Sequence, residues 1–135
     1  VRDIAEMHEF YNMDVGFDSI TTDREKAKSL LDFRIAFLDE ELTEMKEATN
    51  AEDVVDALID LCVVAIGTLD AFGINSHEAW EAVLEANLAK EPGIKPGRPN
   101  PLGLPDLMKP EGWTAPSHEG NHGTLPIVFT SPCAV

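Results

Sequence analysis

The segment from Asn50 to Gly73 constrains the fold more than any other. From Ile59 to Leu69 it is apolar on every side, the mark of a helix buried in a core. Yet Asp60 stands inside that run. Asp53, Asp56 and Asp60 fall at i, i+3 and i+7 and share one helix face, which Val63 and Gly67 continue. Three stacked carboxylates repel one another, and burying an unpaired one is costly. The simplest compensation is a divalent cation, because Mg²⁺ takes oxygen ligands and typically uses one or two carboxylates with waters and phosphates. The competing explanation is an ion-pair network through Arg34 and Lys90. Against it, the chain sets only 10 Lys and Arg against 25 Asp and Glu.

The preceding segment, about Arg24 to Ala48, reads as an amphipathic helix. At ~100° per residue, Leu31, Ile35, Leu38, Leu42 and Met45 form one apolar stripe. Asp39, Glu40, Thr43, Lys46 and Glu47 point mostly away from it. Arg34 and Glu41 project at its border, with Glu44 one turn beyond Glu41. Taken alone, these acids fit a solvated rim equally well. A later segment, about His77 to Lys90, sets Asn87 and Lys90 on or beside an apolar face of Trp80, Val83 and Leu84. Asn offers both a donor and an acceptor, and Lys a point charge suited to phosphate. A core-capping Asn and a snorkelling Lys would look the same.

Four helical segments are expected. The first, about Arg2 to Asn12, is broken from the second by Gly16 and Thr21-Thr22-Asp23; Asn50 caps the third, Gly73 closes it, and Ser76 caps the fourth. The class is therefore all-α. Residues 1–91 form the helical part and residues 92–135 a Pro/Gly-rich extension packed on it or on a neighbouring subunit. Thr124 to Thr130 is apolar and β-branched with nothing to pair with, which points to docking on another subunit. The net charge of −15 argues against a nucleic-acid or anionic-membrane partner. The longest apolar run, Leu61 to Leu69, is too short to span a bilayer. Val1 to Phe10 mixes charges, unlike a secretory leader. The expected location is the cytoplasm. There a disulfide between Cys62 and Cys133 is not expected, and the two make no zinc-spacing motif.

Four runs carry a family resemblance. Phe37-Leu-Asp-Glu-Glu-Leu-Thr-Glu-Met45 resembles the EExxE motif of the MazG-like, all-α NTP pyrophosphohydrolases. Asp53 to Gly67 resembles their second acidic motif, commonly ExxD, in the form of a phage-type, phosphoribosyl-ATP pyrophosphohydrolase-like branch. Glu85-Ala-Asn-Leu-Ala-Lys90 resembles the N-x-x-K element, and Lys109-Pro-Glu-Gly-Trp113 the tail of the same branch. The resemblance implies an antiparallel four-helix bundle completed by oligomerisation, as a homodimer or homotetramer. It implies cleavage of a nucleoside or deoxynucleoside triphosphate between the α and β phosphates, with Mg²⁺, or Mn²⁺ in its place, as cofactor. Glu41, Glu44, Asp56 and Asp60 are the metal ligands it favours. Asp53 is the alternative, because aspartates stand here where the family motif mixes Glu and Asp. Glu40 is a ligand, a water-activating base or a surface residue. Lys90 acts on the phosphates in catalysis and binding, and Arg34 and Asn87 bind substrate. Phe10, Tyr11, Phe37 and Trp80 are all available to stack on a base.

Two other classes compete. A carboxylate-bridged di-iron bundle expects Glu-x-x-His on helices. The only such spacing, Glu119 to His122, lies in a Gly-rich stretch. A non-catalytic acidic helical-bundle interaction protein would simply turn its carboxylates to solvent.

Overall fold

The computed structural model describes residues 2–130. Cys133 lies outside them. Five helices form among the described residues: α1 (Arg2–Phe10), α2 (Met13–Thr21), α3 (Arg24–Glu47), α4 (Ala51–Ala71) and α5 (Ser76–Leu88). A two-stranded antiparallel ribbon, β1 (Glu91–Gly93) and β2 (Asp106–Met108), and a 3₁₀ helix over Leu125–Phe129 follow. The chain divides into two compact units. One comprises the described residues up to Ser76 and from Gly120 onward, the other His77–Glu119. No single helix among the described residues is long and apolar enough to cross a membrane.

The long helices start and stop where local chemistry directs. Asp23 caps α3 by accepting from Lys26 N at 3.0 Å, and Asn50 caps α4 by accepting from Asp53 N at 2.9 Å. At the end of α4, Gly73 takes φ +71°. Its N–H bonds to Asp70 O and that of Ile74 to Leu69 O, the 5→2 and 6→1 pair that a glycine after a helix permits. The expected four helices become five because Gly16 lies inside α2, not at a break. A mid-helix glycine costs roughly 1 kcal/mol. Here α2 buries Phe17 and Thr21, which outweighs that cost. The break falls instead at Asn12, whose φ of 57° is the left-handed conformation that Asn tolerates.

The core of the first unit gathers Phe17, Ala27, Ala71, Phe72, Ile74 and Val128, with Leu30, Leu31, Leu69, Leu125 and Ile127 packed on it. The apolar tail segment is thus a 3₁₀ helix against α3 in its own chain, not an unpaired extended piece. Gly123 makes this approach possible, since a Cβ there would sit 1.9 Å from Phe72 O. Thr124 then donates from its N–H to that same carbonyl at 2.8 Å. Against expectation, α4 is not buried all round. Ala57, Val64, Gly67 and Ala71 are buried, while Val55 and Ile59 on the opposite side are 59% and 58% exposed, with Leu58 and Cys62 also open.

Candidate active site

Where α3 packs on α4, the face α3 turns inward carries charge beside the apolar stripe. Ala27 and Glu41 are its buried residues, and Arg34 midway between them is half-buried. These lie seven residues apart, one face of a helix. Of the expected stripe, Leu31, Leu38, Leu42 and Met45 are half-buried and Ile35, at its edge, is exposed. Across from them α4 presents Ala57, Val64, Gly67 and Ala71, small enough for close approach, with Asp60 half-buried among them.

Glu41 is the most unusual group here. It is only 8% exposed, and its Oε2 is buried without a hydrogen-bond partner. Loss of hydration raises its pKa above the ordinary carboxylate value; Glu44, Asp60 and Glu40 raise it further by their charges, and Glu44 also by a carboxyl–carboxyl hydrogen bond. Glu44 also lines a cleft of about 280 Å³ with Glu47, Ala48, Asp53, Asp56 and Ala57. The structure therefore groups Glu41, Glu44 and Asp60 electrostatically, and Glu44 and Asp56 along one cleft. Asp53 has a separate duty. Its Oδ2 accepts from Asn50 Nδ2 at 2.9 Å while its N–H serves the cap. Glu40 is exposed.

No three His, Cys, Asp or Glu among the described residues stand close enough together to hold a metal ion by themselves. The acids form a strip, not a closed cage. Their chemistry nevertheless suits a hard cation that keeps several waters and uses few protein ligands. The unpartnered Oε2 of Glu41 is the kind of orphan such an ion would satisfy.

Beyond the acids, Arg34 Nε donates to Thr68 Oγ1 at 3.1 Å, and a Cβ at Gly67 would meet Arg34 Nη2 at 2.6 Å. Burial lowers the Arg34 pKa, though a guanidinium stays charged. Beside it, buried His8 donates from Nδ1 to Asp70 Oδ2 at 2.5 Å and meets the edge of Phe17 with ring centres 5.0 Å apart. Sequence reasoning did not find this pair. Asp70, an acid at the end of an apolar run, was the available signal. Asn87 and Lys90 stand in the second unit, both half-buried. There the Lys90 N–H bonds to Asn87 O, and its ammonium lies over the Trp113 ring.

The sequence model of phosphoribosyl-ATP pyrophosphohydrolase matches residues 17–87, from Phe17 in α2 to Asn87 in α5. The chain belongs to that family. It thereby falls in the MazG-like, all-α NTP pyrophosphohydrolase superfamily, as its four motifs indicate. The class of activity that membership brings is pyrophosphohydrolysis of a nucleotide. The matched span contains all the acids described above, together with Arg34 and Asn87. It stops before Lys90, the ribbon and Trp113. No curated protein and no solved structure matches the chain.

Proposed function

We propose that this family member hydrolyses a nucleoside or deoxynucleoside triphosphate between its α and β phosphates, with Mg²⁺ as cofactor and Mn²⁺ as a substitute. Water adds across one P–O–P linkage, giving the monophosphate and pyrophosphate. The observation that carries this reading is the buried Glu41 carboxylate, its Oε2 without a hydrogen-bond partner, inside an acid strip on the span matched to the family. On a chain of net charge −15, a cation between the acids and a triphosphate offsets their repulsion.

Glu41, Glu44, Asp56 and Asp60 would supply the carboxylates, a few to each of one or more cations that keep waters as their other ligands. Asp53 is the weaker candidate because its carboxylate already serves the start of α4. Bound there, a divalent ion neutralises polyphosphate charge and makes a water acidic enough to act as nucleophile. Glu40, exposed and next in sequence to Glu41, would act as the base that takes a proton from the attacking water. Lys90 and Asn87, in the second unit, are the residues the reading assigns to phosphate binding. Arg34 contributes a positive field from within the α3–α4 packing. The exposed Val55, Leu58 and Ile59 of α4 support assembly into a homodimer or homotetramer, since a contiguous apolar face is costly to leave in water.

The test is pyrophosphate release across all NTPs and dNTPs with Mg²⁺, run on the parent and on Glu41→Gln. The variant keeps the shape of the side chain and removes its charge. It should abolish turnover while far-UV circular dichroism stays the same. Near-parent kcat for Glu41→Gln on the best substrate would overturn the assignment.

A further inference from the structure

In the second unit two lysines share one indole. Lys90 Nζ and Lys109 Nζ each lie 5.1 Å from the centre of the Trp113 ring. The ring is held in place. Its Nε1 donates to Ala86 O at 2.8 Å, a carbonyl in the last turn of α5 left free because the Lys90 N–H turns to Asn87 O instead.

The ribbon delivers the second lysine. Its register pairs Glu91 with Met108 and Gly93 with Asp106. Lys90 and Lys109 are therefore the next residues opposite each other, one step beyond the last pair. Asp106 steadies the loop between the strands by accepting from Arg98 Nη2 at 2.8 Å, with Lys95 Nζ 3.7 Å away. Like charges set opposite each other across two strands are destabilising. Neither lysine is in an ion pair among the described residues, although acids outnumber bases 25 to 10 in the chain. The partial negative charge at the end of α5 accounts for Lys90 alone. It does not account for a ribbon that returns a second ammonium to the same ring. The ring takes part of the charge of both lysines, but two ammoniums gathered on it make a cationic pair suited to an anion.

We propose that Lys109 is a second phosphate-binding residue, acting with Lys90 on a diphosphate group while Trp113 fixes both ammoniums. The ligand is the diphosphate end of a nucleotide or released pyrophosphate. The nucleotide identity rests on the hydrolase reading; the affinity for diphosphate does not.

The experiment uses the full chain with Trp80→Phe, which leaves Trp113 as the single tryptophan. Trp113 fluorescence is titrated with inorganic pyrophosphate, with inorganic phosphate as a control, in the presence and absence of Mg²⁺. A saturable change is expected with pyrophosphate and a much weaker one with phosphate. Lys109→Met keeps the packing on the ring and removes the charge, and should weaken binding by about tenfold to a hundredfold. Lys109→Arg should retain it within a few-fold. Lys109→Gln repeats the test should methionine disturb the ribbon. Parent-like titration by folded Lys109→Met and Lys109→Gln overturns the proposal. Pyrophosphate binding that needs both lysines, in a chain that hydrolyses no nucleotide, would uphold it and overturn the hydrolase reading. Nucleotide turnover with unchanged kcat/KM and unchanged pyrophosphate inhibition in Lys109→Met would do the reverse.

Discussion

Replacing Gly67 with alanine sets two energies against each other. Alanine in place of a helix-interior glycine is worth about 1 kcal/mol. The new Cβ, however, would lie 2.6 Å from Arg34 Nη2 and 3.4 Å from two atoms of the His8 ring. The guanidinium must move, and it is tethered, since Nε donates to Thr68 Oγ1 at 3.1 Å in a half-buried setting. Losing a hydrogen bond to a charged group costs about 1.5–3 kcal/mol. Gly67→Ala should therefore destabilise the protein by about 0.5–2 kcal/mol. In an Arg34→Ala background the obstruction is gone and only the His8 edge remains near. There the same change should stabilise by about 1 kcal/mol. The four proteins form a double-mutant cycle with a coupling of about 1.5–3 kcal/mol. Urea unfolding reads it directly, because at an m-value of about 1–3 kcal/mol/M a 1 kcal/mol change moves the midpoint by roughly 0.3–1 M. The same sign in both backgrounds would refute the reasoning that Arg34 fixes the glycine. The cycle also bears on function. If the guanidinium contacts substrate phosphate, Gly67→Ala should raise KM as it displaces Arg34.

Other outcomes follow from single groups. Glu41 has a folded pKa above its unfolded value, so the folded state holds the extra proton and stability should rise as pH falls from above that pKa toward the ordinary carboxylate value. Glu41→Gln should flatten this slope in urea unfolding at several pH values, and a slope that persists would remove Glu41 as its source. Asp106 shows the opposite sign: its backbone bond from Leu107 N, and then Lys95 and Arg98, hold its pKa low against a smaller desolvation effect. The stability it lends the ribbon should persist above the unfolded carboxylate pKa and fade as pH falls through the folded one, followed by the Leu107 amide shift; a midpoint at the unfolded value would contradict it. Ile59→Lys, on the exposed side of α4, should shift light scattering toward a smaller species without loss of helicity, and an unchanged mass would exclude that face from assembly.

How much of this was legible in the sequence depends on whether the signal was local. The ends of α3 and α4 were, because Asp23, Asn50 and Gly73 act within a few residues of their own positions. The extra helix α2 was not, because what overrides Gly16 is burial of Phe17 and Thr21 against other elements. The ribbon was not, because strands of three residues carry no usable period. Its pairing is supported by Asp106 holding Arg98 and Lys95 from the intervening loop. Among the acids, residue type and spacing drew attention to Glu41 and Asp60, and the wheel set Glu41 at the stripe's border, but only the packing of α3 in the fold made it the buried one.

That last failure has a physical cause. On α3, Leu31, Leu38, Leu42 and Met45 are half-buried and Arg34 and Glu41 are drawn in beside them, while Val55, Leu58 and Ile59 of α4 stay open. This arrangement is costly twice over. Glu41 loses hydration with one carboxylate oxygen left unpartnered, and the open aliphatic side chains keep theirs. On the reading proposed above, two additions remove the two costs: a cation for the acid strip and a second copy of the chain for the α4 face. The costs are linked, because both faces belong to α4 and a change in how it packs acts on both. Assembly and metal affinity should accordingly be coupled, so that Ile59→Ser, which opens the apolar face without adding charge beside Asp56 and Asp60, weakens Mg²⁺ binding as it weakens assembly. Isothermal titration of Mg²⁺ into the parent and into Ile59→Ser measures this, and identical affinity in a variant shown to be smaller would separate the two requirements.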